Sequence, residues 1–262
     1  MPDLILLKLG GSLITEKARP ETPRREVIAR LAGEIARASR EARLIVGHGS
    51  GSFGHVAARE SGIAAGLRSP DQLAGVSRTQ ERAAALHRIV VEALVEAGAL
   101  PYSIAPSSCL LAEAGRPVEL AAGPLLLALD RGLLPVLYGD VVMDRAWGVS
   151  IASTEKVFEI AARALLGHGH TIRRALWLGE TDGLYDAEGR TIPRISAGDL
   201  ERATAAIGAP AGTDVTGGMR LRVETALALA GLGVPSLLAN GLVPGLLEMA
   251  ARGERVVGTE VV

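Results

Sequence analysis

The chain has 262 residues, a formal net charge of -1 and 48% apolar residues, with only 3% aromatic. This length allows one large α/β domain or two closely joined lobes, and the near-neutral charge argues against a broad basic surface for nucleic acid. The single cysteine, Cys109, excludes an internal disulfide and has no metal-ligating partner nearby in the sequence. The apolar start at residues 4–7 is too short for a signal peptide or a membrane span. We therefore expect a soluble protein of the reducing cytoplasm.

Short apolar runs that end in glycines alternate along the chain with segments of helical periodicity. The predicted strands are residues 3–9, 44–47, 102–105, 134–138, 175–178 and 236–238. The predicted helices are residues 23–40, 72–97 (continuous or broken once), 123–131, 153–166, 217–230 and 244–252. This alternation predicts an α/β fold, a three-layer αβα sandwich with a mainly parallel central sheet and binding sites at the carboxyl ends of the strands.

The organisation of this fold is predicted from the remaining segments. Residues 140–144 and 145–150 indicate an antiparallel β-hairpin inserted into the α/β pattern. Residues 1–262 are expected to form a single domain in two lobes. The predicted division falls in a short Gly/His-rich stretch, so that residues 1–169 form the acceptor and phosphate-loop lobe and residues 170–262 the nucleotide-binding lobe.

Lysine is rare here, because the 28 basic side chains include only three lysines, Lys8, Lys17 and Lys156. Arginine occupies every other basic position. A lysine that persists against this bias is expected where a compact ammonium is needed rather than a planar guanidinium. Lys8 and Lys17 lie in and beside a glycine-rich loop, which favours a functional role for both.

The first candidate motif is Lys8-Leu9-Gly10-Gly11-Ser12, at the end of the first predicted strand. Glycines after a strand let the backbone approach an anion, and their N–H groups can converge on phosphate oxygens. Lys8 would direct a positive charge into the same space. The motif is not a Walker A loop, because its lysine precedes the glycines. Taken alone, such a segment is more often an ordinary corner between a strand and a helix.

A second glycine-rich loop, residues 47–55, follows the second predicted strand with the sequence Gly-His-Gly-Ser-Gly-Ser-Phe-Gly-His. Each glycine adds conformational entropy to the unfolded chain, so turn geometry alone does not explain four of them in eight residues. A backbone cradle for a second anion explains them better. His55 is predicted at a helix start, where it either hydrogen-bonds an acceptor phosphate or caps the helix.

Three later segments add to the candidate site. Residues 214–219 open a helix that continues through Arg222, and Thr216 and the glycines beside it offer a hydroxyl and N–H groups to the outer phosphates of a nucleotide. Asp182 lies in a loop after a predicted strand, which either borders a nucleotide or is a plain Asp-Gly turn. Glu155, at the start of another helix, either anchors the cations around the phosphates or is a first-turn acid of a capped helix.

In this order the motifs resemble the amino acid kinase superfamily, whose members phosphorylate carboxylates, carbamate or phosphates, over nearly the whole chain. Within the superfamily the chain is most similar to the branch whose acceptor is isopentenyl phosphate. This similarity rests on Lys17, nine residues after Lys8, and on the Gly-Ser-Phe-Gly-His segment that ends at His55. Residues 139–142 (Gly-Asp-Val-Val) and 257–259 (Val-Gly-Thr) also match that branch.

The resemblance implies an ATP-dependent kinase of isoprenoid biosynthesis, with Mg²⁺ bridging the ATP phosphates and a homodimeric assembly. It implies direct in-line phosphoryl transfer without a covalent intermediate. The catalytic residues implied are Lys8, Lys17 and His55. Residues implied to bind ATP are Lys8, Gly10, Gly11, Ser12, Ser50, Asp182, Gly217 and Arg222. Residues implied to bind the acceptor are Gly49, Gly54 and His55, with Glu155 and Thr216 in supporting positions.

Two positions depart from the superfamily pattern. Arg222 stands where lysine is usual, and Glu155 stands where aspartate is usual. Arg222 is a wider cation and Glu155 a longer acid, and we interpret the two departures as having changed together. Lys156, next to Glu155, is a hypothetical source of the compact charge that Arg222 does not supply.

Two other functions fit the same residues. One is a fosfomycin-type or other small phosphate or phosphonate kinase, which needs a shorter and wetter pocket beyond His55. A prenyl tail instead needs an apolar channel, for which Ala74, Val76 and residues 83–86 are candidates. The other is a non-catalytic nucleotide- or oxyanion-binding relative, which the presence of Lys8 and Lys17 in an arginine-biased chain argues against.

Overall fold

The structure is a computed structural model that describes residues 3–199 and 218–262. Its strands within these ranges alternate with helices for most of the chain. They are β1 (Leu4–Leu9), β2 (Arg43–His48), β3 (Pro101–Ser103), β4 (Leu110–Glu113), β5 (Arg116–Leu120), β6 (Leu134–Tyr138), β7 (Asp140–Asp144), β8 (Gly148–Ala152), β9 (Ile172–Gly179), β10 (Arg194–Ile195), β11 (Ser236–Asn240) and β12 (Thr259–Val261).

The helices connect consecutive strands and cover the sheet. They are α1 (Gly11–Ile14), α2 (Arg25–Ala38), α3 (Gly51–Glu60), α4 (Leu73–Glu96), α5 (Pro106–Cys109), α6 (Gly123–Asp130), α7 (Thr154–Gly167), α8 (Gly218–Ala230) and α9 (Leu246–Arg252), with 3₁₀ turns at Ile63–Ala65, Pro70–Gln72 and Ala197–Asp199. In the part of the chain that the structure describes, no helix has the length and apolar character needed to cross a bilayer.

Eight strands form one sheet in the order β10-β12-β11-β9-β1-β2-β6-β3. Its neighbours pair in parallel except β11 and β12, which are antiparallel. A smaller sheet in the order β5-β4-β7-β8 lies beside it. The predicted α/β fold with a mainly parallel central sheet is therefore confirmed.

Strand β1, at the middle of the large sheet, divides its side chains between the two faces because successive residues of a strand point to opposite sides. Leu4 and Leu6 join the core under α7 and α8, whereas Ile5, Leu7 and Leu9 join the core under α2 and α9. Lys8 continues the even-numbered series and therefore points to the face covered by α7.

Two details of the prediction are corrected. The second glycine-rich segment is not a loop throughout, because α3 already begins at Gly51 and includes Gly54 and His55. The predicted hairpin is present as β7 and β8, but it is part of a four-stranded sheet whose other strands, β4 and β5, were not predicted. The long helix α4 is continuous. The division into lobes at residues 169 and 170 stays a prediction.

Candidate active site

The candidate site lies at the carboxyl ends of neighbouring parallel strands. Gly10 follows β1, Gly49 follows β2 and Glu180 follows β9, and these three strands are adjacent in the order β9-β1-β2. Backbone hydrogen bonds join the strand ends, from Gly10 N–H to the Leu178 carbonyl at 2.8 Å and from Gly49 N–H to the Leu9 carbonyl at 3.0 Å. Loops that are far apart in the sequence thus meet at one edge of the sheet.

The two glycine-rich segments are in direct backbone contact. A Cβ atom on Gly11 would lie 2.7 Å from the Cα of Gly51, and one on Gly49 would lie 2.8 Å from the amide nitrogen of Gly11. Real Cβ atoms do not approach other atoms this closely, so these positions require glycine. Close packing of the two segments is a cause of the glycine pattern that the sequence did not reveal.

Thr15, at the end of α1, ties the two segments together. Its hydroxyl donates to the Gly11 carbonyl at 2.8 Å and accepts from the Ser52 N–H at 3.0 Å. Thr15 is fully buried. We did not predict this residue, because a lone threonine after a short helix carries no signal in the sequence.

A buried ion pair joins the first strand to α7. The Lys8 ammonium donates to the Glu155 carboxylate, and the two residues are 4% and 6% exposed. Burial alone raises the pKa of Glu155, but the positive charges of Lys8 and Arg222 outweigh burial and hold the pKa below its usual value. Glu155 is therefore an ionised carboxylate between two cations.

The Arg222 guanidinium occupies space left by Gly179 and lies in contact distance of Gly10. A Cβ on Gly179 would lie 2.8 Å from Arg222 Nη1, and one on Gly10 would lie 3.6 Å from Arg222 Nη2. Arg222 is 8% exposed, and among the described residues no acceptor lies within hydrogen-bond distance of its Nε. A buried, unpaired N–H donor at the ends of β1 and β9 is suited to an anionic ligand.

Asp182 lies where β9 and β11 end. Its carboxylate accepts from the Asn240 amide at 3.0 Å, and its N–H donates to the Tyr185 hydroxyl at 3.1 Å. Thr259 holds the same loop, because its hydroxyl accepts from the Leu184 N–H at 2.8 Å. The closing Val-Gly-Thr motif therefore has a structural role beside Asp182.

Of the other predicted residues, Ser12 and Ser50 lie within the glycine segments, whereas Lys17 lies in the loop that follows the first of them. Ser12 lies in α1, and Ser50 is buried at the N-cap of α3, where a Cβ on Gly54 would lie 2.6 Å from its Oγ. Lys17 is exposed, in the loop between the bridged residues Thr15 and Pro23.

Three predicted residues fall on parts that the structure does not describe. His55 belongs to α3, but its side chain lies outside the described part of the chain. Thr216 and Gly217 lie outside the described residues.

Lys156 points away from this cluster. Its ammonium donates to the Gly115 carbonyl, at 2.8 Å, in the turn between β4 and β5. This contact contradicts the hypothesis that Lys156 supplies a compact charge beside Glu155. Consecutive residues on a helix are about 100° apart, so a neighbour in sequence faces a different direction.

An α/β sheet that gathers glycine backbones and buried cations at its strand ends defines an enzyme that handles phosphate groups. Residues 3–240 match the Amino acid kinase family, and the chain belongs to that family. It is 34% identical to an isopentenyl phosphate kinase of Methanothermobacter thermautotrophicus, with 98% of each chain covered. It is 35% identical to an isopentenyl phosphate kinase of Haloferax volcanii, covering 86% of this chain and 88% of that protein.

A solved structure of an isopentenyl phosphate kinase has the same fold. It superposes with a TM-score of 0.83 and 30% identity, over 99% of this chain and 100% of that one. The expected resemblance to the amino acid kinases is thus confirmed over essentially the full length of the chain.

Proposed function

We propose that this kinase transfers the γ-phosphoryl group of ATP to the phosphate of isopentenyl phosphate, forming isopentenyl diphosphate and ADP. The contact between the two glycine segments at Gly11, Gly49 and Gly51 is the observation that supports it most directly. Two phosphate cradles in backbone contact would hold a donor and an acceptor phosphate side by side, which is the arrangement that in-line transfer needs.

The charges at the strand ends support ATP as the donor. Lys8 and Arg222 converge on Glu155, and the Arg222 Nε is a buried donor without an acceptor among the described residues. These cations would stabilise the charge on the transferring phosphoryl group. Mg²⁺ is proposed to arrive bound to ATP and would offset the charge of its phosphates, since the N–H groups and cations here suit phosphate oxygens rather than a metal ion.

Lys17 and His55 are proposed to complete the catalytic set. Lys17 is exposed in the loop of residues 16–22, whose base is closed by the bridge between Thr15 and Pro23. This base is next to the first glycine segment, so the loop would bring Lys17 over the phosphates when ATP is bound. His55 lies one turn into α3 and would hold the acceptor phosphate.

The surroundings of α3 beyond His55 are apolar, which suits a prenyl acceptor better than a small polar phosphonate. Ala58 is one turn beyond His55 in α3, and it belongs to a cluster with Ile63, Val141 and Val149. Val76, one of the predicted channel residues, packs against this cluster. Leu86, another predicted channel residue, belongs to the main core under α2 and not to this cluster.

The proposal also includes an assembly, a cellular location and a division into two lobes. A homodimer follows from the family resemblance, and a cytoplasmic location from the single free cysteine. Residues 1–169 are proposed as the acceptor lobe and residues 170–262 as the nucleotide lobe.

The test is ADP release by the purified protein with Mg-ATP and one of five acceptors: isopentenyl phosphate, dimethylallyl phosphate, fosfomycin, a nucleoside monophosphate or N-acetylglutamate. The variant His55→Ala is compared with His168→Ala, a histidine at the exposed end of α7. We expect turnover of isopentenyl phosphate that is lost in His55→Ala and kept in His168→Ala. Turnover with fosfomycin and with no other acceptor would show that the acceptor is a phosphonate and not isopentenyl phosphate. ATP binding without turnover of any acceptor would refute the proposed function.

A further inference from the structure

Two histidines outside the predicted site form a buried hydrogen-bonded pair. His48 is the last residue of β2, directly before Gly49, and His87 lies in the middle of α4. The distance from His48 Nε2 to His87 Nδ1 is 3.0 Å, and the two residues are 0% and 6% exposed. Buried polar groups are costly unless they are paired, so a pair of imidazoles beside the acceptor segment requires an explanation.

The partners at either end fix the direction of this chain of hydrogen bonds. His48 Nδ1 lies 3.1 Å from the Gly49 carbonyl, which can only accept, so Nδ1 carries the proton. His48 Nε2 is then an acceptor, and His87 Nδ1 must donate to it. His87 Nε2 in turn accepts from the Ser103 hydroxyl at 2.6 Å.

Both imidazoles are neutral in this arrangement. Burial lowers the pKa of His48 to about 4, the hydrogen bond to Gly49 opposes the shift and the charge of Lys8 adds to it. Burial, with a smaller contribution from His48, lowers the pKa of His87 to about 3. Each ring therefore keeps one donor and one acceptor over the physiological pH range.

Tyr138, the last residue of β6, holds the planes of the two rings. Its ring centroid lies 4.2 Å from that of His87 with an interplanar angle of 25°, and 5.8 Å from that of His48 with an angle of 11°. Stacking on both rings restricts rotation about their side-chain bonds, which preserves the hydrogen-bond geometry.

The inner end of the chain controls a peptide group of the acceptor segment. The Gly49 carbonyl and the Ser50 N–H belong to one planar trans peptide and point in opposite directions. A hydrogen bond that fixes the Gly49 carbonyl therefore also fixes the direction of the Ser50 N–H. The Gly49 N–H is already held by Leu9, so the orientation of this next peptide is what remains to be set.

We propose that His87 is a positioning residue for the acceptor site. By donating to His48 Nε2 it holds the His48 ring in place, and the Nδ1–H of that ring orients the peptide between Gly49 and Ser50. This role rests on the proposed function, in which that segment receives the phosphate of isopentenyl phosphate. His87 does not touch the substrate and acts through His48.

The outer end of the chain opens to solvent. A groove of about 590 Å³ between α4 and β3 is lined by His87, Ser103 and Tyr138 together with Arg88 and Val91. The groove gives a small molecule such as imidazole a path to the place of the His87 ring when that ring is removed by mutation.

The first experiment compares His87→Leu and His87→Asn with His168→Leu as a control. Leucine keeps the volume but has no donor, whereas the asparagine amide branches at the same carbon as Nδ1 and still donates. Since one hydrogen bond contributes on the order of 1 kcal/mol, we expect His87→Leu to raise KM for isopentenyl phosphate about fivefold, with KM for ATP changed less than about twofold. His87→Asn should restore the wild-type value, and His168→Leu should retain it. Equal rises in both KM values, or no rise in a folded protein, would overturn the inference.

A second measurement does not depend on turnover. The ¹⁵N chemical shifts of His48 report which ring nitrogen is protonated and whether the other accepts a hydrogen bond. We expect the Nδ1–H form in both proteins, with the Nε2 resonance moved downfield in His87→Leu because its lone pair loses the donor. An unchanged Nε2 shift in folded His87→Leu, or an Nε2–H form in the wild type, would overturn the inference. If the wild type does not use isopentenyl phosphate, the proposed acceptor is wrong, and the Nε2 shift alone then tests whether His87 holds the His48 ring.

A third measurement applies where His87→Leu does not fold. We expect imidazole to recover acceptor KM in His87→Ala through the open groove and to have no effect on His168→Ala. Failure of imidazole to act on a folded His87→Ala would count against the inference.

Discussion

The ammonium of Lys8 and the carboxylate of Glu155 form an ion pair that is buried between the end of β1 and the first turn of α7. The two residues are separated by 147 positions in the sequence. Arg222 contributes a second positive charge to the same carboxylate. Glu155 thereby holds two cations close together, which would otherwise repel each other at the place proposed for the ATP phosphates.

Replacing Glu155 by glutamine tests this arrangement. The buried Lys8 charge would lose its partner, so we expect Glu155→Gln to lower the free energy of unfolding by about 3 kcal/mol. Misplacement of Lys8 and Arg222 is expected to lower kcat about 100-fold, the typical effect of losing one charge-stabilising group. Urea unfolding and ADP release measure the two effects.

A matched control lies on the same helix. Glu159 pairs with Arg163 at 2.9 Å on the exposed side of α7. Exposed ion pairs contribute at most about 1 kcal/mol, so Glu159→Gln is expected to have little effect on stability or turnover. Equal effects of the two variants would show that the buried pair has no special role.

The contact between the glycine segments leads to a prediction for Gly11→Ala. The added Cβ would lie 2.7 Å from the Cα and from the amide nitrogen of Gly51, and these are backbone atoms that cannot rotate away. We expect a loss of about 1–3 kcal/mol in stability, the range for overpacking, together with a large loss of turnover. Thermal unfolding and ADP release are the measurements. Gly167→Ala, at the open end of α7 where nothing lies within 4 Å of the added Cβ, should be neutral or slightly stabilising.

A double-mutant cycle tests whether Gly179 makes room for Arg222. A Cβ on Gly179 would lie 2.8 Å from Arg222 Nη1, so Gly179→Ala should displace the guanidinium and lower kcat/KM for ATP. Lysine at position 222 is narrower near its charge, so Gly179→Ala should be less harmful in the Arg222→Lys background. We expect a coupling of about 1 kcal/mol between the two positions. Additive effects of the two substitutions would contradict the steric explanation.

The buried histidines predict loss of stability in acid. The pKa of His87 is lowered to about 3 in the folded protein, from 6.5 in the unfolded chain. Between these values the unfolded state binds more protons, so stability is constant above pH 6.5 and falls as the pH decreases. By this linkage the wild type should lose about 2 kcal/mol more between pH 7 and pH 5 than His87→Asn does. Urea unfolding at the two pH values measures the difference, and parallel losses in the two proteins would contradict it.

The parts of the fold that depend on local patterns could be predicted from the sequence. The β1 strand and the glycines after it form one continuous signal, an apolar run that stops at Gly10. Strand β6 is found at the predicted bounds for a similar reason. Strand β4 was missed because it follows α5 directly, without a turn signal, and strand β5 was missed because it contains Pro117 and two charged residues.

The start of α3 could not be predicted, because glycine favours loops and Gly51 has a positive φ of 50°. The first turn of this helix is held instead by a tertiary hydrogen bond, from the Ser52 N–H to Thr15. The pairing of His48 with His87 also depends on a tertiary contact and could not be predicted. Two single histidines 39 positions apart leave no periodic or motif signal.

Side chains alternate between the two faces of the sheet along β1. The face to which Lys8 points therefore depends on whether the number of residues before it in the strand is odd or even. Leu4, Leu6 and Lys8 face α7, and the odd-numbered residues face α2. Deleting one residue before Lys8 would turn its ammonium into the apolar layer under α2, away from Glu155. Deleting two would restore its direction but shorten the strand. Length changes in this strand are therefore tolerable only in even steps, so related chains should preserve the odd or even count even where the residues themselves vary.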